Sequence, residues 1–150
     1  MKSVFNPVHT AELIRRIDKL TPGTKPKWGK MSVSQMLAHC NVSYEMIYEN
    51  KHPKPNALMK LLLKLFVKNK VVSDKPYKQN GPTAPQFLVA DDKNFEEEKN
   101  RLIHYIQKTQ KLGEAYFDQR ESFSFGRLSI PEWINMMYKH LDHHLNQFGV

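Results

Sequence analysis

The stretch MMYKHLDHHLNQFG, from Met136 to Gly149, sets His140, His143 and His144 within five positions. Imidazoles spaced this way can be solvated surface, a charge feature at a helix end, or metal ligands. Residues of an α-helix advance about 100° each, so positions four apart share a face. His140 and His144 therefore stack together, on the side that also carries Trp133, Met136, Met137 and Gln147. A helix must bury such residues, and they take the two histidines inward with them. His143 falls toward the rim of that face, while Lys139, Asp142 and Asn146 turn toward water.

Two imidazoles at i and i+4 can grip one metal ion from a single helix, but two ligands are rarely enough. His39, in Met36-Leu37-Ala38-His39-Cys40, is the candidate third; its face also carries Gln35, Met36, Ser43 and Met46. His9 ahead of the first helix, His52 in a proline-rich turn and His104 on a solvent side are poorer choices. Taken alone, each histidine is more simply a satisfied core residue. Taken together, buried imidazoles on adjacent turns repel when protonated and need partners when neutral, and a shared cation answers both demands. Gln35, Ser43, His143, Gln147 and Trp28 are expected around such a site as hydrogen-bonding partners or pocket walls, and Tyr48 as a further hydrogen-bonding group. Cys40 points about 100° from His39 and reads as a small buried thiol. Glu45 and Glu49 lie off the His39 face and Asp142 points outward, so no general base is evident.

Three neutral histidines would leave a divalent ion's charge uncompensated and coordination positions open. Zinc or nickel suits that donor set, with iron or manganese as further candidates. A bound water would be acidified toward neutrality, and a bound thiol would ionise. Hydrolysis and thiol transfer both fit.

The elements that must position these residues read as helices. A first helix is predicted from Asn6 or Thr10 to Leu20, with Leu13, Ile14 and Ile17 inward and Thr21-Pro22-Gly23 as its stop. Ser32 and Gln35 stand in capping-box spacing and start a second, from Val33 to about Asn50, ended by the prolines after His52. A short third helix covers Ala57 to Asn69. Pro76, Gly81, Pro82 and Pro85 leave Ser73 to Ala90 irregular. Asp91 or Asp92 is expected to cap a fourth helix, with Glu96 to Glu98 in its first turn, Phe95, Leu102 and Ile106 inward, and Gly113 near its end. Ser129 and Glu132 form a second capping box for the last helix, Ile130 to Gln147. Strand alternation is absent, and the fold class is an all-α bundle of four long helices and a short one.

The 150 residues suit one domain over 1–150. The single Cys40 excludes an internal disulfide and fits a reducing compartment. The N-terminal residues lack a signal-peptide pattern, and lysines break the longest apolar run, so a cytoplasmic protein is expected. The net charge of +8 is spread without a nucleic-acid motif, and no nucleic-acid partner is expected. The run Leu58 to Lys68 puts Lys60, Lys64 and Lys68 on one stripe of an otherwise apolar helix. It reads first as a core helix with a solvated lysine face. The rival reading is a binding module, docking a membrane surface or a protein partner through that helix. Membrane contact is not the expectation.

The tail from Glu132-Trp133 through Tyr138-Lys139-His140-Leu141-Asp142-His143-His144-Leu145-Asn146-Gln147-Phe148-Gly149 resembles the ending of the DinB-like metal-binding proteins. It is most similar to a bacterial branch with a signature close to HLDHHLxQFG. Ser3 to Pro7, Leu20-Thr21-Pro22, Trp28 to Ser32, Gln35-Met36, His39 and Phe125-Gly126 match in the same order, so the resemblance spans essentially the whole chain. It implies a DinB-like four-helix bundle holding a divalent metal through His39, His140 and His144. It also implies a metal-dependent S-transferase with a low-molecular-weight thiol such as bacillithiol, mycothiol or glutathione, or a hydrolase, and a homodimer. Where that branch often carries His-Pro before Phe-Gly, this chain has Ser122-Phe123, which leaves that histidine's role vacant.

Overall fold

A computed structural model describes residues 2–150. In α1 (Pro7–Asp18), Asn6 accepts from the Val8 and His9 N–H groups at 2.9 and 3.3 Å, and Pro7 occupies the first turn where no donor is needed. His9 thus sits inside the helix rather than ahead of it. In α2 (Val33–Tyr48) the capping box forms as the spacing requires. Ser32 Oγ accepts from Gln35 N–H at 3.2 Å and Gln35 Oε1 accepts from Ser32 N–H at 3.0 Å. The helix stops before Asn50 because Glu49 is already extended, at φ −122° and ψ 155°.

The single short helix expected from Ala57 to Asn69 is two pieces. They are α3 (Ala57–Phe66) and α4 (Lys68–Val72), separated at Val67 with φ −112° and ψ −39°. The break turns the chain so that Val72 is buried while Leu63, Val67 and Val71 rest against the edge of the core. Ser73 to Asn94 is irregular apart from one 3₁₀ turn, Pro85–Phe87.

In α5 (Phe95–Phe117) the cap is Asn94, whose Oδ1 accepts from Glu97 N–H at 3.0 Å, and not Asp91 or Asp92. The Ala90 and Asp91 carbonyls instead receive Gln35 Nε2 at 3.3 and 3.4 Å. Gly113, at φ 71° and ψ 175°, breaks the helical geometry near the end of this element, as expected, and one more turn beyond the kink carries Phe117 into the core against Phe5 and Trp133. A small antiparallel hairpin follows, β1 (Glu121–Ser122) with β2 (Gly126–Arg127), pairing Glu121 with Arg127 and Ser122 with Gly126. Strands this short leave no alternation in the sequence to read. In α6 (Ile130–Gln147), Glu132 Oε2 accepts from Ser129 N–H at 2.8 Å.

The four long helices form an all-α bundle in which α2 packs along α5, and α1 and α2 both contact α6. Leu13, Ile17, Met36, Leu37, Leu102, Ile106, Trp133, Leu141 and Leu145 are essentially inaccessible and fill its centre. Burying a Leu or Ile contributes roughly 1.5–3 kcal/mol each, so this layer holds the helices that carry the histidines.

The run Leu58 to Lys68 is not a core helix. No α3 side chain is buried, and Leu58, Leu65 and Phe66 are 67%, 64% and 69% exposed. Lys60 and Lys68 turn to the body instead, pairing with Glu121 at 3.0 Å and Glu132 at 2.7 Å. No helix among the described residues is long and apolar enough to cross a membrane.

Candidate metal centre

His39 on α2 and His140 and His144 on α6 meet where those helices pack. Their ring centroids lie 4.5 to 5.0 Å apart, and one ring nitrogen from each falls within 4.8 Å of the others. His39 and His144 are buried, and His140 is half-buried. The i, i+4 spacing places two of the rings. The third arrives only through the crossing of α2 over α6.

Each ring is held from its outer nitrogen. The Phe87 carbonyl lies 2.8 Å from His39 Nδ1. A carbonyl can only accept, so Nδ1 donates and His39 Nε2 is left with a lone pair. Gln147 Nε2 donates to the Trp28 carbonyl at 2.8 Å, which fixes the orientation of that amide. Gln147 Oε1 then faces His144 Nδ1 at 2.8 Å and must accept from it, so His144 Nε2 also carries a lone pair. Gly29 makes the Gln147 contact possible. Its φ is +83°, and a Cβ there would lie 2.6 Å from Gln147 Nε2. Ser43 Oγ is 3.1 Å from His140 Nδ1, and a hydroxyl can donate or accept. His140 Nε2 lies 3.0 Å from His39 Nε2. That contact needs a shared proton or a shared cation, and Ser43 can serve either state.

Burial lowers the pKa of all three histidines. It does so first by desolvation, and for His140 and His144 next by the neighbouring imidazoles. His144 is pushed down to about 3. The trio is therefore neutral at physiological pH, which is the protonation state that binds metal.

Of the expected surrounding residues, Ser43, Gln147, Trp28 and His143 lie at the site. His143 packs edge-on to His144, Trp28 and Tyr77. Gln35 does not join them, because the α2 cap and the carbonyls of Ala90 and Asp91 occupy its amide. Tyr48 lies elsewhere too, bonded to Thr109 at 2.7 Å. Lys139 and Asp142 are not simply solvated. Lys139 donates to the Lys70 and Ser73 carbonyls at 3.0 and 2.5 Å, and Asp142 pairs with Arg16 at 2.6 Å. Cys40 is buried against Met36, with its thiol pKa raised by desolvation. Glu45 answers to a cluster of its own. Burial would raise its carboxyl, but hydrogen bonds from Lys51, Arg101 and His52 prevail and hold it at about 2.

The Ser73–Ala90 segment, expected to help shape a pocket, brings two residues to the site that the sequence did not single out. Phe87 supplies the His39 carbonyl partner and lays its ring against His39 and His140; Tyr77 stands edge-on to His140 and His143. Both belong to the irregular segment, where only Pro85, at the first position of the 3₁₀ turn, marked local order. A cleft of about 240 Å³ opens beside His143, between Trp28, Tyr77, Lys139 and Asp142. A larger cleft of about 500 Å³, lined by Tyr48, Arg101, His104 and Lys108, lies on the α2–α5 side, and neither cleft is lined by His39, His140 or His144.

A family model described as "Protein of unknown function (DUF1569)" matches residues 7–149. No curated protein and no solved structure matches the chain.

Proposed function

The chain belongs to the DUF1569 family, and from that footing we propose that it is a metal-dependent enzyme of DinB-like type, with a divalent ion held by His39, His140 and His144. One observation carries the reading. Two rings have their tautomers set by obligate partners so that their Nε2 lone pairs converge, and the third sits on a hydroxyl that accommodates either tautomer. Outer-shell hydrogen bonds of this kind orient metal-binding histidines. Tetrahedral zinc at about 2.05 Å from each nitrogen places its ligands about 3.3 Å apart, and the present spacings reach that with small ring movements.

Three protein ligands with an open position is the pattern of catalytic rather than structural zinc. No carboxylate joins the cluster among the described residues, so the ion would keep its full charge until an anionic ligand arrives. When bound, such an ion supplies Lewis acidity that ionises a coordinated water or thiol near neutral pH. Phe87 packs its ring against His39 and His140, and Tyr77 packs against His140 and His143. The cleft beside His143 is of a size for part of a small molecule. The chemistry that follows is transfer of a low-molecular-weight thiol to an electrophile, or hydrolysis.

The test is metal analysis of untagged protein by inductively coupled plasma mass spectrometry, alongside His39→Ala, His140→Ala and His144→Ala. Wild type is expected to carry one zinc or nickel per chain, and each variant to lose it. Equal metal content in all four proteins would remove the site. Cobalt-loaded protein separates the two chemistries, since a thiol that binds the ion produces a thiolate charge-transfer band and a hydrolase without a thiol step produces none.

A further inference from the structure

The apolar residues of α3 leave an outward stripe that nothing in the molecule covers. Leu58, Leu61, Leu62, Leu65 and Phe66 follow i, i+3, i+4, i+7, i+8 spacing and are between 41% and 69% exposed. Such a pattern normally faces a core. Here the core side is taken by Leu63 and Val67, with Lys60 paired to Glu121 and Lys68 to Glu132, and the stripe faces away from the body. Charge tells what it faces. Residues 51–78 contain eight lysines and one acidic residue, Asp74, a net +7 of the chain's +8. Five of those lysines (Lys54, Lys64, Lys70, Lys75 and Lys78) are exposed and form no ion pair among the described residues.

We propose that α3 and its flanking lysines form a docking surface for an anionic lipid membrane, the stripe entering the headgroup boundary and the lysines meeting the lipid phosphates. An interfacial helix needs an apolar face, cationic residues nearby and too little hydrophobic length to span; this segment has the exposed stripe, eight lysines within residues 51–78, and no length sufficient to cross a membrane. A second copy of the chain is the less fitting occupant, because a two-fold contact through α3 would set five unpaired lysines against five more. Two features weigh on the binding strength. α3 has only 10 residues, and Lys60 and Lys68 are already paired, so the free lysines and the stripe must act together.

Vesicle flotation of the full-length protein tests this. The probes are vesicles of phosphatidylcholine alone and of phosphatidylcholine with phosphatidylglycerol in equal parts, at low and high salt. Wild type is expected to float with the anionic vesicles at low salt and to remain behind with the neutral ones. Lys64→Gln/Lys70→Gln should lower partitioning by roughly 25-fold, about fivefold per lysine. Leu65→Ser/Phe66→Ser should abolish flotation while leaving the circular dichroism helix signal intact, since both side chains are exposed. Failure to float at low salt overturns the proposal. So does binding that the Leu65→Ser/Phe66→Ser change leaves unaltered, which would be charge attraction without insertion. Protein that stays off the vesicles but dimerises through α3 in sedimentation, with the dimer lost in Phe66→Ser, assigns the stripe to a second copy instead.

Discussion

Gln147→Met separates a metal-orienting role from a purely structural one. Gln147 is 4% exposed and spans the gap between His144 Nδ1 and the Trp28 carbonyl, with 2.8 Å to each. Methionine keeps the length and volume and removes both strong hydrogen-bonding groups. The His144 Nδ1–H is then left buried without a partner, at about 1–3 kcal/mol for a buried unsatisfied group. The Trp28 carbonyl belongs to a contact that is only partly buried and adds less. The expected stability loss is therefore about 2 kcal/mol, read as a shifted urea midpoint at unchanged slope. The second consequence is specific to the site. With its anchor gone, the His144 ring is free to rotate and its Nε2 is no longer aimed at His39 and His140. Loss of such an orienting partner lowers metal affinity by about 10–100-fold. Competition with a chromophoric zinc chelator measures this on folded protein, below the unfolding transition. A variant destabilised as expected but binding zinc as wild type does would refute the proposition that Gln147 and His144 act as an orienting pair.

Two further outcomes follow from the same geometry. With metal removed by chelation, the neutral histidines make stability fall with acidification. Their folded-state pKa values lie below the ordinary 6.5 and that of His144 is about 3, so below pH 6.5 the unfolded chain binds protons that the folded chain refuses. Unfolding free energy should drop by about 1.4 kcal/mol per pH unit for each such histidine between roughly pH 6.5 and the folded pKa, measured by urea titrations at pH 7, 6 and 5; a flat profile would contradict burial of neutral imidazoles. Glu45→Gln removes the charge that Lys51, His52 and Arg101 share, and should cost about 1–3 kcal/mol by thermal melting, with zinc affinity unchanged because the cluster is separate from the histidines.

Much of the architecture was legible in local signals. Both capping boxes, the bounds of α6, the proline stop after α2 and the inward faces of α1 and α5 depend on residues within a few positions of each other, and they stand where their spacing required. Other features turned on a choice between neighbouring residues or on distant partners. The α5 cap is Asn94, whose side chain accepts from Glu97 N–H, and not either of the aspartates just before it. The extra turn beyond the Gly113 break was not legible, because Phe117 fills a core position made by Phe5 and Trp133 from distant parts of the chain. The Leu58–Lys68 run misled most. Periodicity shows that a helix is two-sided but not which side meets the body, and in the fold it is Leu63 and Val67 that meet it while the apolar stripe faces away.

For the candidate site, the sequence by itself determined that His140 and His144 share a helix face, because an α-helix repeats every 3.6 residues whatever surrounds it. It likewise placed His39 on a face that had to be buried. Only the tertiary structure decided that α2 crosses α6 at the level where the three rings meet. Only there did the Phe87 and Trp28 carbonyls, from segments without periodicity, come to select the tautomers. Convergence of this kind depends on how whole helices pack, on the summed fit of buried side chains such as Trp133 and Leu141, and no short stretch of residues encodes that fit.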